Sequence, residues 1–171
     1  MRTVRRANLT DADAVGSVEV RAWRAVHEER LGADALAEMD PAERAEQWRE
    51  LLRDPAGGRD LLVVIDAGAV VGFAAIGASR DLGASPSVGE IEALNLVPDA
   101  WGRGLASELL TAAVHELRRR GFTEVTTWVP VTNDRARRFY DEHGWREDGE
   151  RQRDSISGRP VERVRTRRPL T

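Results

Sequence analysis

Two glycines in one short stretch of the chain have the spacing of an anion-binding helix start. The stretch reads Gly102-Arg103-Gly104-Leu105-Ala106-Ser107 and lies between an apolar strand and a long amphipathic helix. The first N–H groups of a helix have no partner within it, and the helix dipole favours negative charge there. Because glycines let a bulky anion approach the backbone closely, this stretch predicts a site for a phosphate-bearing ligand.

Three phosphate-binding interpretations of this stretch can be compared. A dinucleotide-binding fingerprint requires a third glycine, where Ser107 stands, and an acidic residue at the end of the next strand, which instead ends at Val129-Pro130. A P-loop requires a lysine, and the chain has none. The third interpretation is a pyrophosphate held by successive N–H groups of residues 102–107. A helix start that needs only flexibility explains the glycines without a ligand.

The composition restricts the class of protein. With 171 residues, 41% of them hydrophobic and 32% charged, the chain is expected to form one domain, residues 1–171. The net charge of −3 argues against a general polyanion binder, and the lack of cysteine excludes disulfides and thiolate ligands. All 26 basic residues are arginines, so no lysine can act as a base. No apolar run could span a membrane and no signal peptide is recognisable, so we expect a cytoplasmic protein.

Helical periodicity, in which apolar residues recur every three or four positions, marks four segments of the chain. The first follows Thr10, which with Asp13 resembles a capping box, and fades near His27. The second follows Asp40-Pro41, a cap with proline at the first helical position. In order, the expected helices cover residues 11–27, 41–53, 105–120 and 134–143, with a helical turn or loop at residues 31–39.

Runs of apolar and β-branched residues between turn signals predict the strands. The expected strands cover residues 3–7, 61–67, 70–77, 88–97 and 122–129, and a final hairpin of residues 145–153 and 160–167 turns around Ser157-Gly158. The order of the expected elements predicts an α/β domain. A strand and helices come first, followed by a strand meander, two strand–helix units and the final hairpin.

Two segments resemble sequence signatures of the GNAT N-acetyltransferase superfamily. Leu96-Val97-Pro98 followed by Trp101-Gly102-Arg103-Gly104-Leu105-Ala106 is similar to its acetyl-CoA signature, Gln/Arg-x-x-Gly-x-Gly/Ala after a strand reading Val-x-Pro. Residues 133–145 resemble its second motif, Asn-x-x-Ala-x-x-Phe-Tyr-x-x-x-Gly-Phe. Trp101 departs from the opening Gln or Arg, and Trp145 departs from the closing Phe. The resemblance implies a GNAT fold: a mixed, mostly antiparallel twisted sheet flanked by helices, whose strands splay beside the first signature.

The resemblance also implies acetyl-CoA as the cosubstrate. Backbone groups of Leu96 and Val97 would meet the pantetheine arm and the acetyl carbonyl, and Asn133 would touch the cofactor while capping its helix. The N–H groups of residues 103–107 would hold the pyrophosphate, with Arg103 adding a charge-assisted contact. The full implied set is Leu96, Val97, Trp101, Gly102, Arg103, Gly104, Leu105, Ala106, Ser107 and Asn133.

Tyr140 has the chemistry that release of a thiolate requires. Aminolysis of a thioester expels a thiolate, and a nearby O–H can protonate the sulfur as charge develops. The family places a tyrosine at this position of its second motif, and Tyr140 is the single tyrosine of the chain. A core aromatic residue that needs one hydrogen bond is the structural alternative.

Glu90 and Glu92 are candidate bases for an amine, which must lose a proton before it attacks. They lie two residues apart and so share one face of the expected strand beside the thioester. Family members with a carboxylate base often carry it on this strand, and Glu90 matches that position best. Glu92 could instead bind a cationic group of the substrate, a water chain could link either carboxylate to the amine, or both could simply face solvent.

The acceptor site is expected in the least patterned parts of the chain. The first helical region shapes this site in the family, which assigns Trp23 and His27 to it, together with Leu94 on the strand. A surface or core histidine is the structural alternative for His27. No residue spacing indicates a metal site. The arginines of the final hairpin alternate without aromatic residues to stack bases, so they predict a solvated face or a homodimer edge rather than nucleic-acid binding.

These residues together predict direct transfer of an acetyl group from acetyl-CoA to a primary amine. We expect the amine to belong to a small molecule, a metabolite or an antibiotic. A peptide N-terminus or a protein lysine is the alternative acceptor. A module that binds acyl-CoA without turnover is a third hypothesis, from another functional class.

Overall fold

Seven strands form one twisted sheet in the computed structural model, which describes residues 1–156 and 158–170. They are β1 (Arg2–Arg6), β2 (Asp60–Asp66), β3 (Ala69–Ala78), β4 (Val88–Leu96), β5 (Glu124–Pro130), β6 (Arg146–Ile156) and β7 (Arg159–Pro169). Their order across the sheet is β1-β2-β3-β4-β5-β7-β6, and every neighbouring pair is antiparallel except β4–β5. The predicted mixed, mostly antiparallel sheet is confirmed.

Helices cover both faces of this sheet. Within the described residues they are α1 (Ala12–Leu31), α2 (Ala33–Ala37), α3 (Pro41–Arg53), α4 (Leu105–Arg119) and α5 (Asp134–Glu142). On one face, Leu117 of α4 lies against Gly89 of β4. On the other face, Trp48 of α3 makes an edge-to-face contact with Phe73 of β3, with ring centroids 5.2 Å apart. No described helix is long and apolar enough to cross a membrane.

The strands β4 and β5 pair only where they begin. Parallel pairing joins residues 88–90 to residues 124–126, and beyond Glu90 the two strands diverge. Where they part, the Thr127 hydroxyl donates a hydrogen bond of 2.7 Å to Ile91 O. Past this point β4 continues to Leu96 beside an open cleft, so the expected splay next to the glycine stretch is confirmed.

The start of the first helix differs from the sequence prediction. Asn8 and Asp11 form the capping box, not Thr10 and Asp13. The Asn8 side chain accepts from Thr10 N at 2.9 Å, and Asp11 accepts from Asn8 N at 2.8 Å. The box lies upstream because residues 9–11 form a 3-10 turn before α1 begins. Arg5 of β1 also binds the Asp11 carboxylate, so this cap ties the helix start to the sheet edge.

The end of the first helix also differs, while the last hairpin agrees with the prediction. The α1 helix continues past His27 to Leu31, one turn further than predicted. Trp23 and His27, one helical turn apart, make an edge-to-face contact. The short helix α2 occupies the segment predicted as a helical turn or loop. Strands β6 and β7 form the expected C-terminal hairpin, although Ser157 in its turn lies outside the described residues.

Gly16 sets the distance between α1 and α3. A Cβ atom at this position would lie 2.5 Å from Pro41 O and 2.7 Å from Ala45 N. Both atoms belong to the backbone of α3, which cannot move aside as a flexible side chain can. The two helices therefore pack more closely than any residue larger than glycine would allow.

We expect Gly16→Ala to destabilise the fold by about 1–3 kcal/mol, the usual range for overpacking a tight contact. Helix propensity alone would make alanine more stable than glycine by about 1 kcal/mol, so the two causes have opposite signs. Urea unfolding followed by circular dichroism distinguishes them. A Gly16→Ala variant that is more stable than the wild type would show that the α1–α3 contact can relax freely.

Candidate functional site

The glycine stretch forms an open cradle at the start of α4. Gly102 and Gly104 have φ angles of +70° and +81°, a backbone region that residues with a Cβ rarely adopt. The N-cap residue of α4 is Gly104, which has no side chain to cap the helix, so the first N–H groups keep their capacity to bind an anion. A Cβ atom built on either glycine meets nothing within 4 Å, so the cradle faces open space. These features fit a bulky phosphate-bearing ligand.

The Arg103 side chain points away from this cradle. Its guanidinium forms an ion pair with Asp66 at the end of β2, and Arg2 donates a hydrogen bond of 3.1 Å to Arg103 O. The charge-assisted phosphate contact expected of Arg103 therefore stays a prediction, and it requires this guanidinium to leave Asp66. The backbone N–H groups of residues 103–107 need no such change.

Ser107 in the first turn of α4 is held by a histidine. The Phe139 carbonyl oxygen can only accept, so His143 Nδ1 donates to it at 2.7 Å. The other ring nitrogen, Nε2, lies 2.9 Å from the Ser107 hydroxyl. His143 follows the last residue of α5, so this pair ties the cradle to the end of that helix.

The main cleft lies beside the end of β4 where β5 diverges from it, and has a volume of about 400 Å³. Its walls come from α1, the end of β4, Trp101 and Ala106, and the start of α5. Asn133 caps α5, as predicted, by accepting from Ala136 N at 3.1 Å. Trp101 donates a hydrogen bond of 3.1 Å from its indole N–H to Leu96 O. The lining residues include Leu94, Leu96, Trp101, Ala106, Asn133 and Arg135.

The backbone groups at the end of β4 point in different directions. Val97 N donates to Val71 O at 2.9 Å, and Val97 O accepts from Ala100 N at 2.9 Å. The Val97 N–H is therefore engaged within the protein, and the expected contact of Val97 backbone groups with the cofactor stays a prediction. Because alternate residues of an antiparallel strand direct their backbone groups to opposite sides, Leu94 and Leu96 direct theirs into the cleft.

Tyr140 lies where β4 and β5 part. Its side chain is buried, packs edge-to-face on Trp145 with ring centroids 5.1 Å apart, and hydrogen-bonds to Thr127. Burial raises the pKa of Tyr140 to about 12, although the Thr127 hydrogen bond acts in the opposite direction. The phenol therefore stays protonated at neutral pH and can donate its proton.

Tyr140 also lines an inner cavity of about 120 Å³ that adjoins the main cleft. All three residues expected at the acceptor site, Trp23, His27 and Leu94, line this cavity. Glu92 lines it too, whereas Glu90 is not among its lining residues. The structure therefore brings the predicted acceptor residues and the predicted acid together around one space.

Glu92 occupies a bulge in β4. Ala75 pairs with Ala93 and Ile76 with Ile91, so Glu92 has no partner across the strand ladder. Its carboxylate is almost fully buried, with 3% of the side chain exposed, and both oxygens bind the Arg59 guanidinium. The donors of Arg59 occupy the lone pairs that a general base would use.

Glu90 is buried in a different setting. Its Oε2 accepts from Arg80 N at 2.9 Å, and Arg80 Nε lies 3.6 Å from the same oxygen. Among the described residues no hydrogen bond to Glu90 Oε1 is formed. Burial raises the pKa of Glu90 above its usual range, against the lowering effect of the Arg80 N–H and charge. Glu90 therefore accepts a proton more readily than an exposed carboxylate.

Sequence analysis did not identify the arginines that hold these carboxylates. Arg59 precedes β2 and Arg80 follows β3, whereas both of their partners lie on β4. Arg80 Nε lies 3.6 Å from each carboxylate, which shows that Glu90 and Glu92 share one face, as expected. No local pattern could have revealed these pairs, because they join residues on three different strands or loops.

The fold of this chain is shared by solved acetyltransferase structures. PaiA N-acetyltransferase from Thermoplasma acidophilum, in complex with coenzyme A, matches with a TM-score of 0.78 at 15% identity over 99% of each chain. The yncA protein from Salmonella typhimurium, with its cofactor acetyl-CoA, matches with a TM-score of 0.73 at 22% identity over 99% of this chain and 94% of that chain. At such identities these likenesses show the fold alone.

Sequence comparison is more specific. A mycothiol acetyltransferase of Rhodococcus opacus (strain B4) is 30% identical over 154 residues, which cover 84% of this chain and 50% of that protein. An uncharacterized N-acetyltransferase of Bacillus subtilis (strain 168) is 28% identical over 134 residues, 78% of this chain and 74% of that protein. This chain thus spans about half the length of the mycothiol acetyltransferases that it matches. The profile of the Acetyltransferase (GNAT) family matches residues 21–145, and the chain belongs to that family.

Proposed function

We propose that this chain is an N-acetyltransferase that moves an acetyl group from acetyl-CoA directly onto the primary amine of a small molecule. The observation that carries the proposal is one continuous space. Trp101 and Ala106, on either side of the glycine cradle, line the main cleft. The main cleft shares Leu94 and Asn133 with the inner cavity, which Tyr140 also lines. An anion site at one end and a protonated phenol at the other suit a phosphate-bearing thioester.

Acetyl-CoA, the cosubstrate of the family, supplies an activated acetyl group on sulfur. The N–H groups at the start of α4 would bind its pyrophosphate, with Ser107 held ready by His143. The inward-facing backbone groups of Leu94 and Leu96 would hold the pantetheine arm and polarise the acetyl carbonyl. The cleft is open enough for the arm to lie between the two strands in place of the missing sheet hydrogen bonds.

Tyr140 is proposed as the acid that protonates the leaving sulfur. It keeps its proton at neutral pH because its pKa is raised to about 12, so the phenol can donate to the sulfur as negative charge develops there during cleavage of the C–S bond. Thr127 orients the phenol and is itself fixed by its bond to Ile91 O. Tyr140 therefore meets both the protonation and the positioning requirements of a general acid.

Glu90 is proposed as the final acceptor of the amine proton, in preference to Glu92. The Arg59 guanidinium donates to both oxygens of Glu92, so these oxygens are already engaged by an ion pair. Glu90 has a raised pKa and an oxygen without a hydrogen bond in the described part of the chain. Because Glu90 lies behind the inner cavity and does not line it, the proton would reach it through water.

The size of the inner cavity favours a small acceptor. Trp23 and His27 of α1 form one wall of a space of only about 120 Å³, which suits a primary amine on a slender group. The sequence relatives named mycothiol acetyltransferases point to a small-molecule acceptor as well. A peptide N-terminus or lysine remains the alternative, since an extended side chain could also reach this cavity.

A panel of amines tests the acceptor class. Because the chain has no cysteine, a thiol-reactive dye reports only the CoA that the reaction releases. We expect turnover with small amines such as amino acids and amino sugars, above the hydrolysis rate measured without amine. Turnover with peptides alone would favour the alternative acceptor. Binding of acetyl-CoA without turnover on any amine would favour the binding module.

We expect Tyr140→Phe to lower kcat by about 10²–10⁴-fold, the usual contribution of a general acid. The phenyl ring keeps the packing against Trp145, so the Kd for acetyl-CoA and the melting temperature should change little. Steady-state kinetics, calorimetric titration and thermal unfolding measure the three quantities. Unchanged kcat with every accepted amine would exclude Tyr140 as the acid.

We expect the stability of Glu90→Gln relative to the wild type to increase as the pH rises. The pKa of Glu90 in the folded protein lies above its value in the unfolded chain. The wild type therefore keeps the stabilisation from the protonated carboxyl at a pH below the unfolded pKa, and loses it as the pH rises through the folded pKa. Glutamine keeps an acceptor for Arg80 N and does not ionise. Urea midpoints between about pH 4 and pH 8 check this, since carboxyl groups titrate near the lower limit when unperturbed.

The control for this experiment is Glu142→Gln, which removes an exposed carboxylate from α5. Its stability difference from the wild type should show no comparable rise with pH. A constant or shrinking difference for Glu90→Gln would contradict the raised pKa. Glu90→Gln should also acetylate amines more slowly than the wild type if Glu90 accepts the amine proton.

A further inference from the structure

Arg135 lies over the mouth of the main cleft without a carboxylate partner. Its guanidinium carbon lies 3.6 Å from the centroid of the Trp101 ring, which is close for a cation–π contact. Arg135 forms no ion pair within residues 1–156 and 158–170, whereas Arg137, two positions along the same helix, binds Glu147. Burial against the indole lowers the pKa of Arg135 below its usual value, but the group remains a cation at neutral pH.

Trp101 is a fixed platform for this cation. Its indole N–H is bound to Leu96 O, so the ring cannot rotate away from the end of β4 without losing that bond. The next residue is Gly102, the first glycine of the cradle. A guanidinium stacked on a ring keeps its N–H donors at its edge, where they can bind an anion. Trp101 therefore places the Arg135 donors beside the cradle.

Two other cations next to the cradle, Arg103 within it and Arg2 bound to Arg103 O, are already paired with carboxylates. Arg103 is paired with Asp66, whose side chain is 14% exposed, and Arg2 contacts both Asp66 and Glu108. Trp101 replaces the Gln or Arg that opens the first signature, and its single donor, the indole N–H, is already bound to Leu96 O. Arg135 reaches Trp101, the residue before the cradle, from α5.

We propose that Arg135, stacked on Trp101, binds a phosphate group of the CoA cosubstrate at the mouth of the cleft. Trp101 acts as a positioning residue, because its ring holds the guanidinium and makes no required contact with phosphate. The inference rests on the proposed function, since it assumes that CoA occupies this cleft. Trp101, which stands where the family signature has Gln or Arg, thereby acquires a role.

Calorimetric titration of CoA into Arg135→Gln tests the contact. Loss of a charge-assisted hydrogen bond to phosphate should weaken binding by roughly ten- to a hundredfold. The matched control is Arg138→Gln, which removes the same charge from an exposed position on the same helix and should bind CoA as the wild type does. The dependence of Kd on salt should also be shallower for Arg135→Gln alone, because one phosphate contact is lost.

Trp101→Ala tests the positioning role. It should weaken CoA binding about as much as Arg135→Gln does, and the double variant should bind no more weakly than either single variant. Additive losses would show that the two residues act independently and would overturn the platform. In kinetics, KM for acetyl-CoA should rise while kcat at saturation is preserved.

The phosphate involved is identified by repeating the titrations with 3′-dephospho-CoA. If Arg135→Gln also weakens binding of 3′-dephospho-CoA, Arg135 contacts the pyrophosphate. If the variant binds 3′-dephospho-CoA as the wild type does, Arg135 contacts the 3′-phosphate. Equal binding by wild type and Arg135→Gln, or an equal loss in Arg138→Gln, would overturn the inference alone. A wild-type chain that does not bind CoA would overturn the proposed function together with it.

Discussion

The site depends on the separation of β4 from β5. Two parallel strands that pair for three residues and then diverge leave backbone N–H and C=O groups of β4 facing an open space. An unpaired polar group buried away from water costs about 1–3 kcal/mol, so such a gap persists only if a ligand, water or side chain can satisfy those groups. Thr127 and Trp101 each bind one carbonyl oxygen along this edge. The remaining groups are what a pantetheine-like arm can bind.

Ionic contacts determine which carboxylate remains reactive. Glu92 lies in a bulge of β4 and accepts hydrogen bonds from the Arg59 guanidinium. Glu90 accepts one hydrogen bond from Arg80 N, and the Arg80 guanidinium lies further away. Burial therefore raises the proton affinity of Glu90. Glu90 and Glu92 are identical side chains on one face of one strand. They differ in their hydrogen-bond partners, because Arg59 binds Glu92 and the Arg80 N–H binds Glu90. The same principle applies to Tyr140, whose burial keeps it protonated for its proposed step.

Local sequence patterns predicted most of the elements correctly because their signals are local. The caps at Asp40 and Asn133, the glycines before α4 and the C-terminal hairpin each follow from residues a few positions apart. The capping box at Thr10 failed because Asn8 offered a competing cap two residues upstream. The end of α1 was placed too early because its last turn, Glu28-Glu29-Arg30-Leu31, has weak apolar periodicity.

The sequence by itself determined the family, the glycine cradle and the position of Tyr140, because each is encoded in a contiguous motif whose spacing is the signal. The tertiary structure decided the rest. In the folded chain the Val97 N–H donates to Val71 O, Arg103 forms an ion pair with Asp66, and Arg59 forms an ion pair with Glu92. These contacts join residues that are far apart in the chain, and their energies depend on burial and direction. Neither quantity exists until the sheet and helices have packed.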